Sequence, residues 1–170
     1  MKKALFLDRD GVINEDRAYP WKPEQIVFVD GIFSLCRKAL DKGYILVVVT
    51  NQAGVARGYF TENDVKKLHE WMSGKFMEQG IEISAFYYCP YHPKGVTEQY
   101  RKDSDCRKPA PGMVLKAVED FGIDISRSLM VGDKPSDRIK LEGLKSVIIK
   151  SNYTGEDYDV ESLLDIESLL

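Results

Sequence analysis

The chain has no excess of positive charge: 24 Lys and Arg stand against 27 Asp and Glu, a formal net charge of −3. Such a balance excludes a surface built to coat nucleic acid or an anionic membrane, and any anion must be bound locally. Long apolar runs are missing as well. The longest, Tyr44–Val49, is far shorter than the ~20 residues a helix needs to cross a bilayer. Met1-Lys2-Lys3 leads straight into a strand-like run with no signal-peptide pattern, so a cytoplasmic protein with no membrane and no nucleic-acid partner is expected. Cysteine is scarce, and 3 of them fit a reducing compartment better than a disulfide framework; Cys36 is expected to be plain core packing. Internal repeats, low-complexity tracts and Pro/Gly/Ser-rich linkers are all lacking, so residues 1–170 are read as a single domain.

What is present is an ordinary globular composition, 44% hydrophobic and 30% charged, ordered as alternating strand and helix signals. Strands are expected at Ala4–Leu7, Tyr44–Val49, Ile83–Tyr88, Leu129–Val131 and Ser146–Ile149. Between them fall helices from Asp30 to about Lys42, from Thr61 to Gly80, from Pro111 to about Phe121 and from about Ser136 to Glu142, on stripes such as Val65, Leu68, Met72 and Phe76. This alternation implies an α/β doubly wound sheet of mainly parallel strands joined by right-handed crossovers, with helices on both faces. The acidic tail 155–170 is expected to place one short helix on the sheet through Leu163, Leu164, Ile166 and Leu169. His69, beside the second helical stripe, is read as structural.

Four polar clusters lie just beyond apolar runs or open a helix: Asp8 with Asp10, Thr50-Asn51-Gln52, Arg107-Lys108-Pro109, and Gly132-Asp133-Lys134 with Asp137. In a parallel sheet the carboxyl ends of strands share one edge, where ligands bind, so these clusters can converge. Carboxylates brought that close cannot all ionise without a counter-charge, and an all-oxygen set of Asp8, Asp10 and Asp133 suits Mg²⁺.

These residues carry a resemblance. DRDGV, VVVTNQ, RKP and VGDKPSD, in this order, resemble the four motifs of the haloacid-dehalogenase-type phosphohydrolases, across nearly the whole chain. INEDRAYP, TNQAGVARGYFTE, YYCPYHP and DCRKPAPGM are similar to the subgroup of D-glycero-D-manno-heptose 1,7-bisphosphate 7-phosphatases, relatives of the histidinol-phosphate phosphatases. The resemblance implies five strands in the order 3-2-1-4-5 and a Mg²⁺-dependent phosphatase acting through an aspartyl-phosphate. Asp8 would be nucleophile and metal ligand, and Asp10 general acid-base with its backbone carbonyl on the metal. Thr50 and Lys108 would contact the transferring phosphoryl group, Asp133 would complete the metal ligands, and Asp137 would orient Lys134 or a metal-bound water. Asp16, Arg17, Ala18, Tyr19, Asn51, Gln52, Ala53, Arg107 and Lys134 would face a small phosphorylated sugar, in a monomer.

The pattern departs from the family at one loop. Members of the subgroup carry Cys-x-His and Cys-x-Cys around a zinc ion, whereas Tyr91 and Ser104 stand at two of those four places, leaving Cys89, His92 and Cys106. Structural zinc sites are closed by four Cys or His donors, so a metal-free loop packed through Tyr87, Tyr88 and Tyr91 is expected. Residues 13–49 leave no room for a cap domain, so loops 14–24 and 89–107 must wall the site and select the substrate. Arg57 and Arg101 are candidates for a second phosphate. Three alternatives stay open: histidinol phosphate as substrate, a phosphorylation-switch receiver, and a non-catalytic binding protein.

Overall fold

The computed structural model describes residues 1–170. Five parallel strands, β1 (Lys3–Leu7), β2 (Tyr44–Asn51), β3 (Ala85–Cys89), β4 (Leu129–Gly132) and β5 (Lys145–Ile148), form one sheet in the order β3-β2-β1-β4-β5. The side-chain period of two splits the central strand between two cores. Leu5 and Leu7 face one side with α1 (Ile32–Asp41), α2 (Glu62–Glu78) and α4 (Leu163–Ile166), while Ala4 and Phe6 face the other with α3 (Gly112–Phe121). Burial on both faces is why β1 and β2 read as continuous apolar runs rather than alternating ones.

The helices follow the expected stripes, with local differences. α2 begins where Thr61 Oγ1 accepts the Asp64 amide at 3.1 Å while the Asp64 carboxylate accepts the Thr61 amide at 2.8 Å, a reciprocal cap. Val65, Leu68, Met72 and Phe76 are all buried. α1 starts after Gly31, not at Asp30, because Gly31 takes a φ of +89° that an L side chain rarely adopts. The helix expected at Ser136–Glu142 is only a 3₁₀ turn, Pro135–Asp137: the Asp137 carboxylate bends back onto the amides of Asp133 and Lys134, at 3.0 and 3.1 Å, and competes with helical pairing. In the tail, Leu163 and Ile166 reach the core, but Leu164 and Leu169 are exposed, since four residues of helix present only one apolar edge.

One expectation about cysteine is overturned. Cys89, at the end of β3, is joined to Cys106 in a disulfide with the Cα atoms 5.5 Å apart, and Cys36 alone is free. The sheet order brings the β3 terminus beside the turn preceding Lys108, a proximity that cysteine counting does not reveal. Loop 89–107 is therefore tied at its ends covalently. Tyr87, Tyr88 and Tyr91 pack against buried apolar clusters, and hydrogen bonds add to that packing: Tyr88 Oη and Tyr100 Oη each donate to one oxygen of Glu62 at 2.7 Å, and Tyr87 Oη donates to Asp120 at 2.6 Å.

Candidate active site

The carboxyl ends of β1, β2 and β4 open on a cavity of about 340 Å³. At its floor the ladder continues one residue past β1, with the Asp8 amide donating to the Val131 carbonyl at 3.0 Å. The chain then turns sharply: the Arg9 carbonyl accepts the amides of Val12, Ile13 and Asn14. Gly11 takes a φ of +93°, and a Cβ there would lie 2.0 Å from Asp133 Oδ2, so this turn tolerates only glycine. Gly132 is constrained likewise, because a Cβ on it would collide with Asp137 at 2.1 Å.

Asp8, Asp133 and Asp137 come together here, each offering one carboxylate oxygen within 4.8 Å of the others. Lys108 is buried among them and donates from Nζ to Asp8 Oδ1 at 2.8 Å and Asp137 Oδ1 at 2.6 Å. Burial opposes its charge, but the adjacent Asp137 and Asp8 charges outweigh that and hold the ammonium above its ordinary range. Asp8 and Asp137 share this ammonium and Asp133 is left without it, so three ionised carboxylates outnumber the ammonium by two. Accordingly, burial followed by the Asp137 charge pushes Asp8 up, and burial followed by Asp8 and Asp137 pushes Asp133 up. Asp133 Oδ1 is buried with no hydrogen-bond partner, and the Asp10 carbonyl oxygen accepts no backbone amide. An orphaned carboxylate oxygen, an all-oxygen donor set and a surplus of two negative charges fit a hard divalent cation such as Mg²⁺.

Asp10 sits apart from that cluster. Its carboxylate accepts from Arg9 Nε at 2.9 Å, Arg9 Nη2 at 3.2 Å, Asn14 Nδ2 at 3.0 Å and Gln52 Nε2 at 3.3 Å. Burial alone would raise its pKa, but the Arg9 charge and these hydrogen bonds win and hold it below the usual carboxylate range. Sequence reasoning weighed the two acids of the motif and passed over Arg9 between them. Its side chain is 1% exposed, and a buried arginine always needs partners because it does not deprotonate.

The remaining candidates divide. Thr50, Asn51, Gln52, Ala53, Asp16, Ala18, Tyr19, Arg107 and Lys134 line the cavity with Asp8, Asp10, Lys108 and Asp137. Gln52 Nε2 donates to Thr50 Oγ1 at 2.9 Å. Asn51 also has a supporting contact: its amide exchanges hydrogen bonds with the Lys108 backbone, at 2.9 and 3.2 Å. Arg17 does not reach the cavity but forms an exposed ion pair with Glu15 at 2.7 Å, where a two-residue spacing along an extended loop puts both side chains on its outer side. Asp137 orients Lys108 rather than the Lys134 ammonium, which lies 3.4 Å from Asp16 and over the Tyr153 ring. Tyr153, which donates to Asp16 at 2.7 Å, and Ser136 also line the cavity; neither belongs to a recognisable pattern, and Tyr153 arrives through the fold from beyond β5. Cys89 and Cys106 are committed to each other, and His92 Nδ1 accepts the Lys94 amide at 2.9 Å.

The model of the polynucleotide kinase 3 phosphatase family matches residues 7–160. A D-glycero-beta-D-manno-heptose-1,7-bisphosphate 7-phosphatase of Pasteurella multocida is 42% identical over all of this chain and 97% of its own length. The chain belongs to the haloacid-dehalogenase-type phosphatases. A D-glycero-alpha-D-manno-heptose-1,7-bisphosphate 7-phosphatase of Burkholderia mallei is 51% identical, over 79% of this chain and 71% of that one. Among solved structures, the D,D-heptose 1,7-bisphosphate phosphatase of B. bronchiseptica, complexed with magnesium and phosphate, superposes with a TM-score of 0.80 at 25% identity, covering 98% of this chain and 97% of that one. Phosphatase kinship and the five-stranded order 3-2-1-4-5 agree with the motif reading. They also turn against the receiver and binding-protein alternatives.

Proposed function

We propose that this phosphatase removes the 7-phosphate of a D-glycero-D-manno-heptose 1,7-bisphosphate, with Asp8 as nucleophile. The observation that carries the bisphosphate reading is a pair of arginines. Arg107 Nη1 and Arg57 Nε are both buried without a hydrogen-bond partner, neither guanidinium is in an ion pair, and after burial the Arg57 charge is the largest influence lowering the pKa of Arg107. Two guanidiniums that repel each other and keep orphaned N–H groups are suited to an anion with several oxygens. His92 lies in the field of both, and Asp103 is the one carboxylate acting on it. A second phosphate relieves that excess, whereas the ammonium of histidinol phosphate would add to it. Arg101 is exposed and is not assigned to this subsite.

In the proposed reaction an Asp8 carboxylate oxygen attacks phosphorus, and the bond between phosphorus and the C7 oxygen breaks. Asp10 protonates the departing alkoxide. Arg9 keeps Asp10 ionised in the free protein, and the incoming phosphate charge raises its proton affinity so that it takes up a proton from solvent as substrate binds, the proton it then gives to the alkoxide. Asp10 then takes a proton from water, which attacks phosphorus, releases phosphate and restores Asp8. Lys108 orients the Asp8 carboxylate through its 2.8 Å contact and counters charge on the phosphoryl oxygens. Thr50 Oγ1 accepts from Gln52 and donates only over a long 3.4 Å to the Asn51 carbonyl, a contact its proton would exchange for a phosphoryl oxygen. Asp8, Asp133 and the Asp10 carbonyl would hold Mg²⁺, which when bound neutralises the excess carboxylate charge and that of the phosphoryl group.

Phosphate release measured across both anomers of the heptose bisphosphate, sugar monophosphates and histidinol phosphate, with and without Mg²⁺, tests this. The expected result is fastest release from a bisphosphate, dependence on Mg²⁺, and turnover abolished in Asp8→Asn. Wild-type turnover in Asp8→Asn, or preference for histidinol phosphate, would overturn it.

A further inference from the structure

One of the chain's two histidines, His69, has no role in the proposed reaction and sits directly behind the acid-base. It is buried on α2, its ring stacked on Phe86 with centroids 4.7 Å apart, and its Nε2 lies 3.3 Å from Arg9 Nη1. Arg9 is otherwise engaged on two sides: by the Asp10 carboxylate through Nε and Nη2, and by the Pro20 carbonyl, which accepts from Nη2 at 2.9 Å. A planar guanidinium held on two sides can still tilt about that edge. The third contact fixes the plane.

We infer that His69 is a positioning residue for the reaction, accepting a hydrogen bond from Arg9 at Nε2 and so fixing the guanidinium that aims the Asp10 carboxylate into the cavity. The inference rests on the phosphatase reading of the site. An imidazole beside a guanidinium is tolerable only when neutral, and burial, reinforced by the Arg9 charge, pushes His69 down to about 3. A neutral ring has one nitrogen free to accept, and Arg9 requires that nitrogen to be Nε2, with the ring proton on Nδ1. A purely structural ring would pack on Phe86 equally well as leucine, but Arg9 Nη1 would then be buried beside nothing that can accept from it. Arg9 meets Asp8 only through its backbone amide, which donates to Asp8 Oδ1 at 2.9 Å, whereas its guanidinium contacts no carboxylate but that of Asp10, so the influence of the side chain, and that of His69 through it, passes to the reaction by way of Asp10.

The test compares His69→Leu, which keeps bulk without an acceptor, with His69→Gln, which restores one, on whichever phosphomonoester the wild type turns over best. His69→Leu is expected to lower kcat about 10- to 100-fold, the range that follows from misplacing a general acid-base, with KM within about threefold. His69→Gln should recover most of that loss. In an Asp10→Asn background His69→Leu should lower kcat no further, a non-additivity that general destabilisation would not produce. A His69→Leu enzyme with kcat within about twofold of wild type, equal kcat in the Leu and Gln variants, or full additivity with Asp10→Asn would each overturn the inference. ¹⁵N NMR of the wild-type imidazole supplies a reading independent of activity and of whether the variants fold: an unprotonated Nε2 is expected, and a proton on Nε2 contradicts it. Failure of the phosphatase reading has a different signature, undiminished turnover in Asp8→Asn.

Discussion

At the inner end of the cavity Asp8, Lys108 and Asp137, with Asp133 beside them, are each 5% exposed or less; strand ends fix the backbones of Asp8 and Asp133, Asn51 holds that of Lys108, and Asp137 is tied to the amides of Asp133 and Lys134. At the outer end Tyr19 and Arg107 stand on loops, Tyr19 is 41% exposed, Arg57 lies outside the lining but its charge acts on Arg107, and Arg107 Nη1 and Arg57 Nε have no protein acceptor. The inner charges are saturated by one another apart from what a divalent cation would supply, so removing one strands another. The outer guanidiniums are not saturated by any protein group. Chemistry common to a family can be built in the first way. Discrimination among substrates is suited to the second, because an unpaired donor rewards only the ligand that reaches it.

Substituting the two ends should therefore break different things. The largest effect is expected from Lys108→Met, which leaves Asp8 and Asp137 facing each other without a counter-charge: about 3–5 kcal/mol of stability is lost along with turnover, read by urea unfolding in the absence of Mg²⁺. Stability within about 0.5 kcal/mol of wild type would mean that the inner cluster is not electrostatically coupled. Reducing the disulfide should come next. Freeing a loop whose ends are 17 residues apart is expected to cost about 3 kcal/mol, measured with and without dithiothreitol, and Cys89→Ser should be insensitive to the reductant.

Arg57→Gln should behave in the opposite way to Lys108→Met. With no ion pair to lose, stability should stay within about 0.5 kcal/mol, while KM for the bisphosphate rises about 10- to 100-fold and KM for a monophosphate barely moves. Equal effects on both substrates would remove the second-phosphate assignment. The smallest effect concerns pH. Asp8 and Asp133 have folded-state pKa values raised above their unfolded ones, mainly by burial. Their contribution to stability is thus present below the ordinary carboxylate range and lost as pH climbs through the raised values towards neutrality. Mg²⁺ offsets that loss, so its stabilisation should be larger at about pH 8 than at about pH 5, by an amount on the order of 1 kcal/mol. A larger gain at the lower pH would contradict the carboxylate site.

The inner end was legible in the sequence because each of its residues follows an apolar strand or sits in an ordered motif, and parallel strands bring such ends to one edge whatever the loops do. The outer end was not. Arg17 adjoins Asp16 and Ala18 in sequence, yet the extended loop turns it to the surface, where it pairs with Glu15. Tyr153 reaches the cavity only because β5 and the loop after it fold back over Asp16, and the Cys89–Cys106 bond depends on β3 ending beside the turn before Lys108. The Pro135–Asp137 turn replaced an expected helix because a single carboxylate captured two amides, a local competition that apolar periodicity does not register.

The account as a whole predicts which phosphate meets which end. Heptose 1,7-bisphosphate labelled with ³²P at either position can be mixed with the enzyme and Mg²⁺, quenched within milliseconds and digested, with borohydride reduction marking any acyl phosphate. Label from the 7-phosphate is predicted to appear transiently on Asp8, and label from the 1-phosphate is predicted never to become protein-bound. Label from the 1-phosphate on Asp8, or a 7-phosphate released in a full turnover without ever labelling that residue, would contradict it.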